Sequence, residues 1–159
     1  MPEIVSNTTP LQYLHQIGLL GILPGLYGRI LVPAAVADEI TAGTDAGVEL
    51  PDLSSLGWVE VRRVAPLTWP VPRDIHRGEA EVIALAGTLG DPLLVIDDLA
   101  ARRHAGLLNL KCTGTLGVLL KAKQAGLIDS VSPHVVRLEE RGFRLSPATR
   151  QDFISLAGE

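Results

Sequence analysis

The stretch PLLVIDD, residues 92–98, is a run of five apolar residues that stops on two aspartates. It shows no alternation of apolar and polar positions, so neither of its faces is written for water. A strand of that kind belongs inside a parallel sheet covered on both sides. The flanking segments agree. RGEAEVIALAGTLG (77–90) reads as a helix ended by Gly90, and LAARRHAGLLN (99–109) reads as another helix. Helix, buried strand, helix is the repeating unit of an α/β fold.

Further out, the same alternation continues. EIVS (3–6) is a short apolar strand, and Pro10 is placed to open a helix capped by Asn7, Thr8 or Thr9. LLGILPGLYG gives a second short helical segment, RILVP (29–33) a strand, and AAVADEIT a helix begun by Pro33. WVEVRRV (58–64) alternates as a strand should, PLTWPVP is an irregular connection, LKC is a short strand, and VLLKAKQAGLI is a helix. Ser132-Pro133 and Ser146-Pro147 each predict a helix with Ser as cap and Pro in the first turn. The expected architecture is therefore three layers, with a mostly parallel sheet of four to five strands and helices on both faces. Sites in such folds form at the carboxyl ends of the strands.

The chain has 159 residues, 47% apolar and 20% charged, so one domain spanning 1–159 is expected, with C-terminal helices at about 132–157 packed on it. No apolar run approaches the ~18 residues of a membrane span. The opening MPEIV has no basic region and no signal-peptide core, and the single Cys112 excludes an internal disulfide framework; together these predict a cytoplasmic protein. Net charge is −4, which argues against bulk electrostatic capture of nucleic acid. The charges are nevertheless segregated. Residues 1–98 carry 5 Lys/Arg against 13 Asp/Glu, and residues 99–159 carry 9 against 5. Chance and solvated faces account for such a split equally well as an acidic site bordered by a basic surface fit for a polyanion.

Mapped onto the frame, Asn7 follows the first strand and Asp97 and Asp98 follow the fourth. Glu39 lies in the helix after the second strand, and Glu79 in the first turn of the helix before the fourth, where the helix dipole favours it. Taken singly, each has a plain reading. The aspartates can cap the next helix, Glu39 can be a solvated charge, Glu79 a dipole partner and Glu81 a surface acid. Taken together at one sheet edge they repel, by about 4 kcal/mol for a pair ~4 Å apart at an effective dielectric near 20. A proton or a cation among them removes that cost. An all-oxygen set suits Mg²⁺ or Mn²⁺, and the chemistry it suits is phosphodiester cleavage by an activated water. His15, His76, His104 and His134 have no ligand-like spacing for zinc. TGTLG (113–117) lacks the full Rossmann and P-loop patterns and reads as a strand-to-helix turn. Arg102 and Arg103 follow the aspartates by one helical turn, and one of them is a candidate for contact with a phosphate backbone.

The segments IVSNTTPL, GRILVPAAVADEI, GEAEVIALA, LLVIDDLAARR and TGTLGVLLKAKQAGLI, in this order and spacing, resemble PIN-domain proteins, in particular the bacterial group related to toxin–antitoxin toxins. The resemblance covers the chain to about residue 145. It implies an Mg²⁺- or Mn²⁺-dependent ribonuclease, the toxin of a toxin–antitoxin pair, with RNA as substrate, a cognate antitoxin as partner and a homodimer as assembly. The apolar first helices (Leu11, Leu14, Leu19, Leu20) are candidates for that dimer surface or for the core. Carried over by motif, the acidic and metal-holding positions are Asn7, Glu39, Glu79 (Glu81 as second choice), Asp98 and the adjacent Asp97. Thr9 matches the small hydroxyl residue beside the first acid.

One position departs from the pattern: Asn7 stands where the family usually has Asp. The amide keeps a carbonyl oxygen but lacks the charge, so metal binding should weaken unless the Asp97–Asp98 pair compensates. The alternative is a PIN-like RNA-binding or protein-interaction module weakened in catalysis. A phosphatase or phosphoacceptor on the same sheet needs an aspartate nucleophile after an early strand, and Asn7 and the missing D-x-D pattern count against it.

Overall fold

The computed structural model describes residues 2–159. In chain order the elements are β1 (Glu3–Ser6), α1 (Thr8–Gln16), α2 (Ile22–Tyr27), β2 (Ile30–Pro33), α3 (Ala34–Asp45), β3 (Val59–Arg62), α4 (Arg77–Ala86), β4 (Pro92–Val95), α5 (Leu99–Leu107), β5 (Lys111–Thr113), α6 (Thr115–Gln124), α7 (Ser132–Glu140) and α8 (Pro147–Leu156). A single 3-10 turn, Leu53–Ser55, precedes β3. The succession is the one the sequence patterns predict.

The five strands form one parallel sheet in the order β3-β2-β1-β4-β5. From β1 the chain builds outward to β3, then returns to the other side of β1 and builds outward to β5. The reversal falls between β1 and β4, which is where an open α/β sheet leaves a crevice at its carboxyl edge. Right-handed crossovers put α1 and α2 on one face and α4 and α5 on the other. In keeping with that, α6 packs with α1 and α2, while α4 packs with α5 and crosses β1, β2 and β4.

Register fixes which residues reach the crevice. Ser6 lies opposite Val95, and the Asn7 amide N–H continues the ladder to the Val95 carbonyl at 3.1 Å. The Ile96 N–H reaches the Thr113 carbonyl at 2.9 Å. Asn7, Asp97 and Gly114 therefore leave three neighbouring strands at one level.

The core is continuous. Ile4, Val5, Leu94, Val95 and Ile96 from the two central strands are at most 1% exposed. Leu11, Leu14 and Ile17 from α1 and Val82 and Ile83 from α4 close over them. Each such side chain contributes roughly 2 kcal/mol through removal of apolar surface from water. This burial decides between the two readings of the first helix: Leu11 and Leu14 are core and offer no dimer surface. Leu19 and Leu20 are partly buried against the same core.

Three local expectations are corrected. Helix α4 ends at Ala86, with Gly87 rather than Gly90 at its cap, because Thr88 turns the chain early by donating its hydroxyl to the Leu85 carbonyl at 2.7 Å. The PLLVIDD strand ends at Val95, short of the aspartates, while its position inside the sheet, between β1 and β5, is the one its unalternating pattern predicts. Ser132 does not cap α7. The Glu159 carboxylate does so from across the fold, accepting from the N–H groups of Val131 (2.8 Å) and Ser132 (3.0 Å) and from the ammonium of Lys123 (2.8 Å). That set of donors holds the Glu159 carboxyl down at about 2, first through Lys123 and then through Ser132 and Val131. Ser146 caps α8 as predicted, accepting from the Thr149 N–H at 3.1 Å. No helix among the described residues is long and apolar enough to cross a membrane.

Candidate active site

Asn7 occupies the N-cap of α1 with extended backbone, the position where an amide side chain ordinarily turns back to accept from the helix. Here it makes no capping bond. It is 4% exposed, and its Oδ1 is buried with no hydrogen-bond partner. An orphaned buried carbonyl costs about 1–3 kcal/mol, so its orientation requires an explanation outside helix capping.

The explanation lies at Gly78. A Cβ built there falls against Glu39 Oε1 and within 3.3 Å of Asn7 Oδ1. The two oxygens thus border the space that a side chain at position 78 would fill. Glu39 is exposed, but it is not loose: Thr8 donates its hydroxyl to Glu39 Oε2 at 2.8 Å. Thr8, one residue before the predicted Thr9, is the hydroxyl that orients an acid. Thr9 instead lines the neighbouring cavity.

Glu79 follows Gly78 in the first turn of α4 and is 8% exposed. Burial is the main cause raising its pKa, and the charges of Asp98 and Glu39 push it further, against a backbone hydrogen bond and His76. Glu79 is therefore close enough to both acids to feel them. With Asp97 and Asp98 it lines an open cavity of about 710 Å³ at the carboxyl edge of the sheet.

The two aspartates differ in role. Asp98 caps α5, its Oδ2 accepting from the Ala101 N–H at 2.9 Å, and the rest of the side chain is exposed to the cavity. Asp97 spends both oxygens on α6: Oδ1 accepts from the Thr115 N–H at 2.7 Å and Oδ2 from the Thr115 hydroxyl at 2.6 Å. Burial raises its pKa, while these two bonds and the Arg102 guanidinium lower it. The helix N-terminus that TGTLG offers is thus already satisfied by a carboxylate of the chain itself. Gly114 is small because Asp97 is there: a Cβ would come within 2.6 Å of Oδ1.

Glu81, the second choice at the helix start, faces elsewhere. It accepts from the Ala35 N–H at 3.0 Å, satisfying an orphan donor of α3 whose own cap, Pro33, has no side-chain acceptor. Its contact with the exposed Arg77 at 3.5 Å adds little. Glu81→Ala is expected to cost about 1–2 kcal/mol of stability in denaturant melts, by the usual scale of cap loss, while leaving divalent-ion affinity unchanged. Of the predicted nucleic-acid contacts, Thr9 and Arg102 line the cavity, and Arg103 is exposed and outside its lining.

Among the described residues, no three His, Cys, Asp or Glu side chains close on a single point. Oxygens of Asn7 and Glu39 meet at Gly78, and the next residue, Glu79, lines the adjoining cavity with Asp97 and Asp98.

A family model described as PIN domain (DUF3368) matches residues 3–159. The chain belongs to the PIN-domain family. A solved structure with the same fold is a PilT N-terminus domain protein from the hyperthermophilic archaeon Sulfolobus solfataricus: TM-score 0.55 and 18% identity, over 75% of this chain and 92% of that one. No match is found among curated proteins. PIN domains are nuclease-type folds that typically use divalent metal ions, and in this PIN domain the acids stand at the crevice between β1 and β4. The site-building residues that the sequence patterns leave unmarked are Thr8, Gly78 and Thr115.

Proposed function

We propose that this PIN domain is a divalent-ion-dependent ribonuclease. The observation that carries the reading is the orphaned Asn7 Oδ1, buried with no hydrogen-bond partner and meeting the Glu39 carboxylate at Gly78. Two acceptors facing one gap are stabilised by a cation, and the donor set is entirely oxygen, as Mg²⁺ or Mn²⁺ prefers. Asn7, Glu39, Glu79 and the free oxygen of Asp98 are the groups that would hold it. Asp97 is a positioning residue, fixing the α6 start and Gly114 beside the crevice. A bound divalent ion supplies charge neutralisation at the phosphate and a water acidic enough to deprotonate near neutral pH. The protein residues supply the rest. Thr8 holds Glu39 in place, the α4 dipole supports the Glu79 carboxylate, and Arg102, beside Asp97 in the cavity wall, is placed to receive a phosphate oxygen. The family resemblance extends the reading to a toxin restrained by a cognate antitoxin.

The test is cleavage of end-labelled single-stranded RNA with Mn²⁺ and after EDTA treatment. Cutting is expected with the ion and absent without it, and it should weaken as pH falls. The sign follows from Glu79. Its pKa is raised in the fold, so protons compete with the ion at a higher pH than for an ordinary glutamate. RNA cut equally well in EDTA, or with no loss on acidification, contradicts this function. Asn7 favours one rival, an RNA-binding module that no longer cuts. That rival expects metal-independent RNA binding and no cleavage at any pH.

A further inference from the structure

Part of the wall of the same cavity has a different chemistry. It comes from Arg102 and from the turn between α7 and α8, which brings in Phe143 and Arg144, with Tyr13 of α1 beside them. Aromatic residues are scarce, with 2 Phe, 2 Tyr and 2 Trp in the chain, yet two of these six line this one cavity. Tyr13 and Phe143 meet edge to face, with centroids 5.0 Å apart and planes at 89°. Phe143 is only partly buried against the core, and its remaining surface lines the cavity.

The two arginines are unpaired. Among the described residues neither has a carboxylate within 4.0 Å, as is also true of Arg63, Arg73, Arg103 and Arg137, but only Arg102 and Arg144 of these six line the cavity. Arg102 is also confined. Its Nη1 lies 3.2 Å from the point a Cβ on Gly114 would occupy, a point also 2.6 Å from Asp97 Oδ1, so the guanidinium is held beside Asp97 in the cavity wall. Guanidiniums and an aromatic ring lining one open cavity are suited to a ligand that is itself anionic and brings its own apolar, planar group.

We propose that the α7–α8 turn is a nucleotide-holding wall, with Phe143 stacking on an unpaired base while Arg144 and Arg102 grip the adjoining phosphate. The proposal rests on the nuclease reading for its placement beside the acids, and it adds what that reading leaves open: how the strand is seated and why it must be single. A cavity of about 710 Å³ falls in the range that encloses small ligands and has room for a nucleotide. Stacking on one ring needs a base free of its partner, so a duplex is rejected without any dedicated contact. Bidentate guanidinium–phosphate bonds fix the backbone beside it.

The experiment measures binding of a labelled single-stranded RNA oligonucleotide in EDTA, where cleavage is excluded, by fluorescence anisotropy across a salt series. Arg144 is exposed, so Arg144→Ala keeps the fold. It is expected to bind about tenfold more weakly and to flatten the slope of log K against log salt by about 0.7, the value for one phosphate of a single strand. Phe143→Leu keeps an apolar group against Tyr13. It is expected to lose about tenfold with the slope unchanged. A hairpin duplex of the same sequence should compete poorly. Variants that bind within twofold of the natural chain, or a duplex that competes equally, overturn the wall even if RNA is still cut. If the variants weaken binding as stated but the natural chain cuts nothing with Mn²⁺, the wall stands and the nuclease reading falls.

Discussion

Asn7→Asp is expected to bind Mn²⁺ at least about tenfold more tightly than the natural chain, and to be less stable than it in EDTA. Both effects come from one added charge. At ~7 Å from another carboxylate, in an effective dielectric near 20, a like charge costs roughly 2 kcal/mol. The new aspartate faces Glu39 across Gly78 and lies by Glu79, whose pKa is already raised by burial and by Asp98 and Glu39. Without metal, the variant's melting temperature should therefore fall, and it should recover on mild acidification as protons take up part of the charge. The direction is fixed by linkage: an acid whose pKa is raised in the fold binds more protons folded than unfolded, so stability declines as pH rises through that pKa. With saturating Mn²⁺ the order reverses, because the same charge now binds the ion; tenfold in affinity is about 1.4 kcal/mol. Isothermal titration and paired melts in EDTA and Mn²⁺ measure both. A variant with unchanged affinity and unchanged EDTA stability would remove Asn7 from the site. RNA cleavage by the variant but not by the natural chain would favour the weakened-module alternative.

The sequence is most legible where the requirement is periodic. The unalternating apolar run before Asp97 marks an inner strand, and Ser146-Pro147 marks a helix start, because both follow from local chemistry that no distant residue can change. Ser132-Pro133 has the same local signal, yet the cap there is Glu159, which reaches α7 only after the chain has folded back. Glu79 and Glu81 show a case in which the deciding physics was available without coordinates. Residues two apart on an α-helix point about 200° away from each other. Only one of the pair can face the crevice, and the other is free to cap α3. Thr8 and Thr9 are ambiguous for the opposite reason: at a helix start, both hydroxyls lie within reach of a neighbour, and only the packing of α3 selects Thr8 for Glu39. Gly78 is the hardest to read in advance. Its contribution is the absence of a side chain where two oxygens from distant segments meet, and no local pattern records an absence.

That absence gives the sharpest separation of site from scaffold. Gly78→Ala is expected to leave the fold as stable as before, or slightly more so, while lowering Mn²⁺ affinity and cutting RNA cleavage about 100-fold, or ~2.7 kcal/mol of transition-state stabilisation. Stability should not suffer, because Gly78 lies within α4 without a left-handed backbone and alanine is the better helix former by up to ~1 kcal/mol. The new methyl has to displace something, and what it meets is the far end of the Glu39 side chain. That carboxylate swings out towards solvent at little energetic cost, breaking its bond from Thr8 and leaving Asn7 Oδ1 without its partner acid. Gly90→Ala is the matching control, since a Cβ there meets nothing within 4 Å, and it should cut as the natural chain does. If Gly78→Ala keeps full cleavage and metal affinity, then Asn7 and Glu39 are not a working pair, and the crevice between β1 and β4 owes its acids to packing alone.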